Sequence, residues 1–177
     1  AFQVFMEEAT PDQTLFLVLG NAGLGKTWLM AHLSAQALKE GKPAFFVPLK
    51  QGVTPLTSLF GNRSFVDLVN RLDTSLQDND QRVFLFLDGL DEMDFQDRID
   101  LLADLAAVRR YKRVSIVLSC RLIDWNMDHS ITDRYDAINR GIYPNREAVQ
   151  VASTLGVHTA VSVILKEFTG DELNRAA

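Results

Sequence analysis

The eight residues Gly20-Asn-Ala-Gly-Leu-Gly-Lys-Thr27 constrain this chain more than any other stretch. They satisfy the pattern G-x-x-x-x-G-K-[ST], which acts as a phosphate cradle when a strand delivers the first glycine and a helix departs from the lysine. Both neighbours are present. Leu15-Phe-Leu-Val-Leu19 is an apolar run of strand length, and Trp28 to Lys39 carries Leu29, Leu33 and Ala37 at helical spacing before Gly41 stops it. Glycines let backbone N–H groups turn inward around phosphate oxygens, Lys26 reaches the terminal phosphates, and Thr27 offers its hydroxyl to Mg²⁺. Gly20, Asn21, Ala22, Gly23, Leu24, Gly25, Lys26 and Thr27, with Trp28 directly after them, are the candidate nucleotide-binding residues.

Further strand-and-helix units follow. Ala44-Phe-Phe-Val47 reads as a second strand, and Phe65 to Leu72 as a helix opened by Ser64 with Asp67 three residues on, a capping pair. Val83 to Leu87 forms a third strand. Phe95, Ile99, Leu102 and Ala106 make an amphipathic stripe, and Val114-Ser-Ile-Val-Leu118 is a fourth strand. Asp124 to Arg146 is polar and dotted with aromatics, expected to be mostly loop with a short helix, and Val161-Ser-Val-Ile-Leu165 reads as a fifth strand. This alternation predicts an α/β fold with a mostly parallel five-stranded sheet and helices on both faces; with the glycine loop after its first strand, a three-layer sandwich of the P-loop NTPase kind is expected. The NTPase domain is expected over 1–168. Thr169-Gly-Asp-Glu172 is a capping box opening a helix that stops at Ala177, so 169–177 reads as the truncated start of a helical subdomain and the chain as a piece of a larger protein.

Composition narrows the partners. The 177 residues are 47% hydrophobic, enough for one domain with a sizeable core. The net charge of -5 argues against nucleic acid or a membrane surface as a partner, since both recruit clustered Lys and Arg. A single cysteine, Cys120, excludes an intrachain disulfide and a cysteine-rich zinc site; with neither a signal peptide nor a long apolar span, a cytoplasmic location is expected.

The apolar run of the third strand ends in Asp88-Gly-Leu-Asp-Glu92, three acids close together. Such a cluster is costly at the end of a buried strand unless positive charge faces it. Mg²⁺ and Lys26 supply that charge: Asp88 is placed to bind the metal through water, and Asp91 or Glu92 to orient or deprotonate an attacking water. Glu92 is favoured for that task.

Together, Gly20 to Thr27 and Asp88-Gly-Leu-Asp-Glu92 resemble the NACHT group within the STAND class of signal-transduction ATPases. That family has a small residue where ordinary AAA+ proteins carry an adjacent acid, and places acids three and four positions later; Gly89, Asp91 and Glu92 match this arrangement. Ser119-Cys-Arg121 after the fourth strand is similar to the family's sensor segment, which implies that Arg121 approaches the terminal phosphate. It also implies that the Arg121 strand lies between those of Lys26 and Asp88. The likeness runs from about Leu15 to Leu173. Trp28 departs from it, standing where many relatives have a second Ser or Thr, and the family's winged-helix histidine has no counterpart among His32, His129 and His158.

The resemblance implies ATP or ADP with Mg²⁺ as ligands, slow hydrolysis, and a nucleotide switch that controls self-association in regulatory or immune-like signalling through an unknown trigger. A small P-loop phosphotransferase is the alternative, with Arg134, Arg140 and Arg146 cast as a lid; a DNA-directed AAA+ motor is disfavoured by Gly89 and the acidic balance. Arg109-Arg-Tyr-Lys-Arg113 is read first as basic residues opposing a helix dipole rather than an arginine finger, and Asn70-Arg-Leu-Asp73 as a chance likeness to a guanine-specificity motif. Cys120 is read as a packing residue, and Trp125, Tyr135 and Tyr143 as core or loop anchors.

Overall fold

The computed structural model of the chain describes residues 15–50, 64–76, 81–108, 111–127 and 161–165. Its elements are β1 (Leu15–Gly20), α1 (Lys26–Lys39), β2 (Ala44–Pro48), α2 (Phe65–Ser75), β3 (Val83–Asp88), a 3₁₀ turn (Leu90–Glu92), α3 (Phe95–Val108), β4 (Val114–Cys120), α4 (Leu122–Met127) and β5 (Val161–Leu165). The five strands form one parallel sheet in the order β2-β3-β4-β1-β5. β4 therefore lies between the strand that leads to Lys26 and the strand that ends in Asp88, as the sequence likeness implied.

Alternation along the central strands builds a core on each face of the sheet. Phe16, Val18, Phe84, Phe86 and Val117 point to one side, where α1 covers them with Met30, Leu33 and Ala37. Leu15, Leu17, Leu19, Leu85, Leu87, Ile116 and Leu118 point to the other, against Val69 of α2 and Leu101, Leu102 and Leu105 of α3. Strands buried on both faces read as continuous apolar runs, which is why periodicity alone located β1, β3 and β4. Among the described residues β2 pairs only with β3, and it leaves Phe45 and Phe46 exposed, as an edge strand does.

The helices follow the sequence with local shifts. Ser64 Oγ accepts the Asp67 N–H at 3.1 Å, so the expected cap forms, and α2 continues to Ser75. In α3 the buried stripe is Leu101, Leu102, Leu105 and Val108, whereas Phe95 at the first turn is 57% exposed, its ring 6.0 Å from the Arg98 guanidinium. The stripe slides because α3 meets α2 and the sheet through its C-terminal half. The start of the polar segment is helical, from Leu122 to Met127; its remainder, with Arg134, Arg140 and Arg146, lies outside the described residues, as do 169–177.

One glycine of the cradle is fixed by packing. A Cβ on Gly20 would stand 3.0 Å from Leu165 Cβ and 3.3 Å from Leu165 O, where β1 pairs with β5. Gly20→Ala is expected to lower the unfolding free energy by about 1–3 kcal/mol, as overpacking does, read from urea melts; an unchanged midpoint would contradict this packing.

Candidate functional site

α1 begins without a side-chain cap. Its N-cap residue, Gly25, has φ 78° in the left-handed region, and no acidic residue stands in the first turn. The first N–H groups of the helix and the positive end of its dipole therefore remain available to an anion. Gly23, at φ 79°, makes the second left-handed step of the loop. Lys26 Nζ donates to Gly20 O at 2.9 Å and to Asn21 O at 3.0 Å, which folds its ammonium over the loop's entrance.

The acids sit across from it, at the carboxyl ends of β3 and β4. Leu87 is registered with Leu118, so Asp88 comes opposite Ser119. Asp88 is only 8% exposed, and its Oδ1 accepts from Ser119 Oγ at 2.5 Å, while that hydroxyl accepts the Gly89 N–H at 2.8 Å. Gly89 has φ 86°, a conformation that L side chains rarely adopt, and it turns the chain into the Leu90–Glu92 3₁₀ turn. Fully buried Leu90 pins that turn. Asp91 is thereby brought to β4's end, where Oδ1 accepts the Arg121 backbone N–H and Oδ2 pairs with Arg121 Nε, both at 2.9 Å.

These groups share a cleft of about 560 Å³ lined by Ala22, Gly23, Gly25, Lys26, Thr27, Trp28, Ala31, Asp88, Gly89, Asp91, Glu92, Ser119 and Arg121. Of the sequence candidates, Gly20, Asn21 and Leu24 are not among the lining residues; Gly20 and Asn21 act through the carbonyls that receive Lys26. Trp28 is 70% exposed at the cleft and stacks on His32, with ring centroids 5.2 Å apart and planes 10° from parallel. In the sequence Ser119 was read only as part of the sensor segment, and His32 was given no role. The bond of Ser119 to Asp88 depends on the register of β3 on β4 and had no local signal, whereas an aromatic ring four residues after Trp28 on a helix was the signal for His32.

Thr27 and Asp88 fit a magnesium site. Among the described residues no three His, Cys, Asp or Glu side chains converge into a protein-only metal site. One hydroxyl and one carboxylate, completed by water and phosphate oxygens, is the donor set Mg²⁺ accepts, since it keeps much of its hydration.

The smaller sequence features have structural partners. Asp73 Oδ1 accepts the Arg113 N–H at 2.9 Å, so the residue that completes Asn70-Arg-Leu-Asp73 ties α2 to the start of β4. Trp125 is buried in the core, while Tyr135, Tyr143, Arg109 and Arg110 lie outside the described residues. Cys120 is buried beside the site, and burial, with Asp91 and Asp124 adding negative potential, pushes its thiol up to about 12. No described helix is long and apolar enough to cross a membrane.

Neither protein-family models nor curated protein sequences match the chain. Solved structures do. The chain is similar to the DnaC helicase loader, at 17% identity and TM-score 0.52, covering 93% of this chain and 85% of that one. It is similar to DnaA from Aquifex aeolicus with AMPPCP bound, at 14% identity and TM-score 0.51, covering 93% of this chain and 45% of that one. Cdc6p from Pyrobaculum aerophilum gives 18% identity and TM-score 0.50, with 92% of this chain and 41% of that one covered. The chain thus spans less than half of the DnaA and Cdc6p chains. At such identities the likeness is one of fold, and with the loop and the strand order it defines the fold of P-loop NTPase domains.

Ser119→Ala removes the hydroxyl that joins Asp88 to Gly89, and should cost about 1–3 kcal/mol in a urea melt, the penalty for leaving a buried acceptor unpaired; a loss below about 0.5 kcal/mol would show that water replaces it. The thiol gives a pH test. Its folded value exceeds the unfolded one, so its stabilising contribution is complete below pH 9.0 and is lost as pH rises towards about 12. Wild type is expected to lose more stability than Cys120→Ala between pH 8 and pH 10, measured by urea unfolding at each pH, and parallel losses would contradict the burial.

Proposed function

We propose that the chain is the ATP-binding, slowly hydrolysing switch module of a larger signalling protein of the NACHT type, in which the bound nucleotide controls self-association in regulatory or defence signalling. The observation that carries the nucleotide reading is the convergence of Lys26, Thr27, Asp88 and Arg121 on one cleft at the carboxyl edge of a parallel sheet. The NACHT reading is supported by Gly89 in a left-handed turn that returns Asp91 to Arg121, because an adjacent acid in place of Gly89 would be strained there.

Each side chain then has a task. The loop N–H groups and Lys26 hold the phosphate chain, with Lys26 exchanging its two carbonyl contacts for phosphate oxygens. Thr27 and Asp88 hold Mg²⁺, which neutralises phosphate charge when bound. Glu92, exposed in the cleft, orients and deprotonates the water that attacks the terminal phosphorus while the bond to the diphosphate leaving group breaks. Arg121 stabilises charge on the terminal phosphate oxygens.

Calorimetry with ATP, ADP and GTP in Mg²⁺ tests this reading. Wild type is expected to bind ATP and ADP, and Lys26→Ala to bind at least about 100-fold more weakly, the scale of two lost charge-assisted hydrogen bonds. Equal affinity in a folded Lys26→Ala sample would refute the site. Phosphate transfer to small metabolites would favour the kinase alternative, and DNA-stimulated turnover a motor. Because Trp28 lines the cleft while Trp125 is buried, nucleotide should change tryptophan emission in wild type and leave it unchanged in Trp28→Phe; a persisting change would place the response elsewhere.

A further inference from the structure

We infer that Asp91 is a positioning residue that aims Arg121 at the terminal phosphate of a bound nucleoside triphosphate, and that it is not the group that activates water. The inference rests on the nucleotide reading and assigns the two acids after Gly89 different roles. Both carboxylate oxygens of Asp91 are engaged by one residue, Oδ1 by the Arg121 backbone N–H and Oδ2 by Nε. Its side chain is 4% exposed, against 46% for Arg121. A general base needs an oxygen within reach of the water it deprotonates, and Asp91 has committed both of its oxygens to Arg121.

The consequence for Arg121 is geometric. Nε is the inner donor of a planar fork, and holding it to a buried carboxylate while the adjacent backbone N–H is held by the same group fixes the plane of the guanidinium. The two terminal nitrogens remain as donors on the half-exposed part of a side chain that lines the phosphate cleft. Such a fork matches two phosphate oxygens, and pre-orienting it reduces the side-chain entropy lost on binding. Asp88 is buried and bonded to Ser119, so Glu92 is the carboxylate of the cluster that stays exposed in the cleft.

The test compares ATP with ADP, since only ATP carries the terminal phosphate. Calorimetry with Mg²⁺ would be run on wild type, Arg121→Ala, Asp91→Asn, the double variant and Glu92→Gln, with single-turnover phosphate release alongside. Arg121→Ala is expected to reduce the preference for ATP over ADP by about 10- to 100-fold, the range of a charged hydrogen bond. Asp91→Asn should reduce the same preference, and the double variant should lose no more than Arg121→Ala alone, because the two residues act as a unit. Glu92→Gln should keep the preference and lose turnover. If Asp91→Asn keeps the preference but loses turnover as Glu92→Gln does, Asp91 is the base and the inference is wrong; additive losses overturn it too. Failure of wild type to bind either nucleotide overturns the nucleotide reading and this inference with it. Should Asp91→Asn not fold, Arg121→Lys probes the same contact: it keeps the charge but lacks the fork, and an unchanged preference for ATP would overturn the assignment.

Discussion

A carboxylate buried at the end of an apolar strand is the constraint around which this site is organised. Burying Asp88 is costly unless hydrogen bonds offset the lost hydration, and β4 supplies one from Ser119, a single step beyond the Leu87 and Leu118 pair. The same hydroxyl receives the Gly89 N–H, so the ends of β3 and β4 are joined and the chain leaves β3 in one direction only. The turn at Gly89, the insertion of Leu90 into the core and the return of Asp91 to Arg121 all follow from that exit.

Around this acidic edge the fold gathers positive charge from two different sources. Lys26 and the uncapped start of α1 come from the β1 connection, and Arg121 comes from the end of β4. The strand order β2-β3-β4-β1-β5 makes these neighbours, because β4 lies between β1 and β3. Charged groups from separate elements are thus brought to one cleft. Asp91 spends its charge on Arg121 and leaves Glu92 facing the cleft.

Much of this was legible in the sequence because the signals were local. Continuous apolar runs gave β1, β3 and β4, and the glycine, lysine and threonine spacing fell where a loop joins β1 to α1. The cap at Ser64 formed as its spacing indicated. What the sequence left open depended on contacts between distant segments: the choice between Asp91 and Glu92 turns on Arg121, thirty residues away. The bond between Ser119 and Asp88 needs the register of β3 on β4. The sliding of the buried stripe in α3 away from Phe95 likewise reflects where α2 and the sheet meet that helix, which no helical period encodes.

If the glycine loop and the acidic edge form one nucleotide site, both must respond to the same ligand. Amide ¹H–¹⁵N correlation spectra of the chain, recorded as Mg²⁺ and ATP are added, read both at once. The amides of Gly23, Gly25, Lys26 and Thr27 are expected to shift together with those of Gly89 and Arg121, at one common dissociation constant. Shifts confined to other parts of the sheet, or loop and acidic-edge amides that respond at different ATP concentrations, would contradict it.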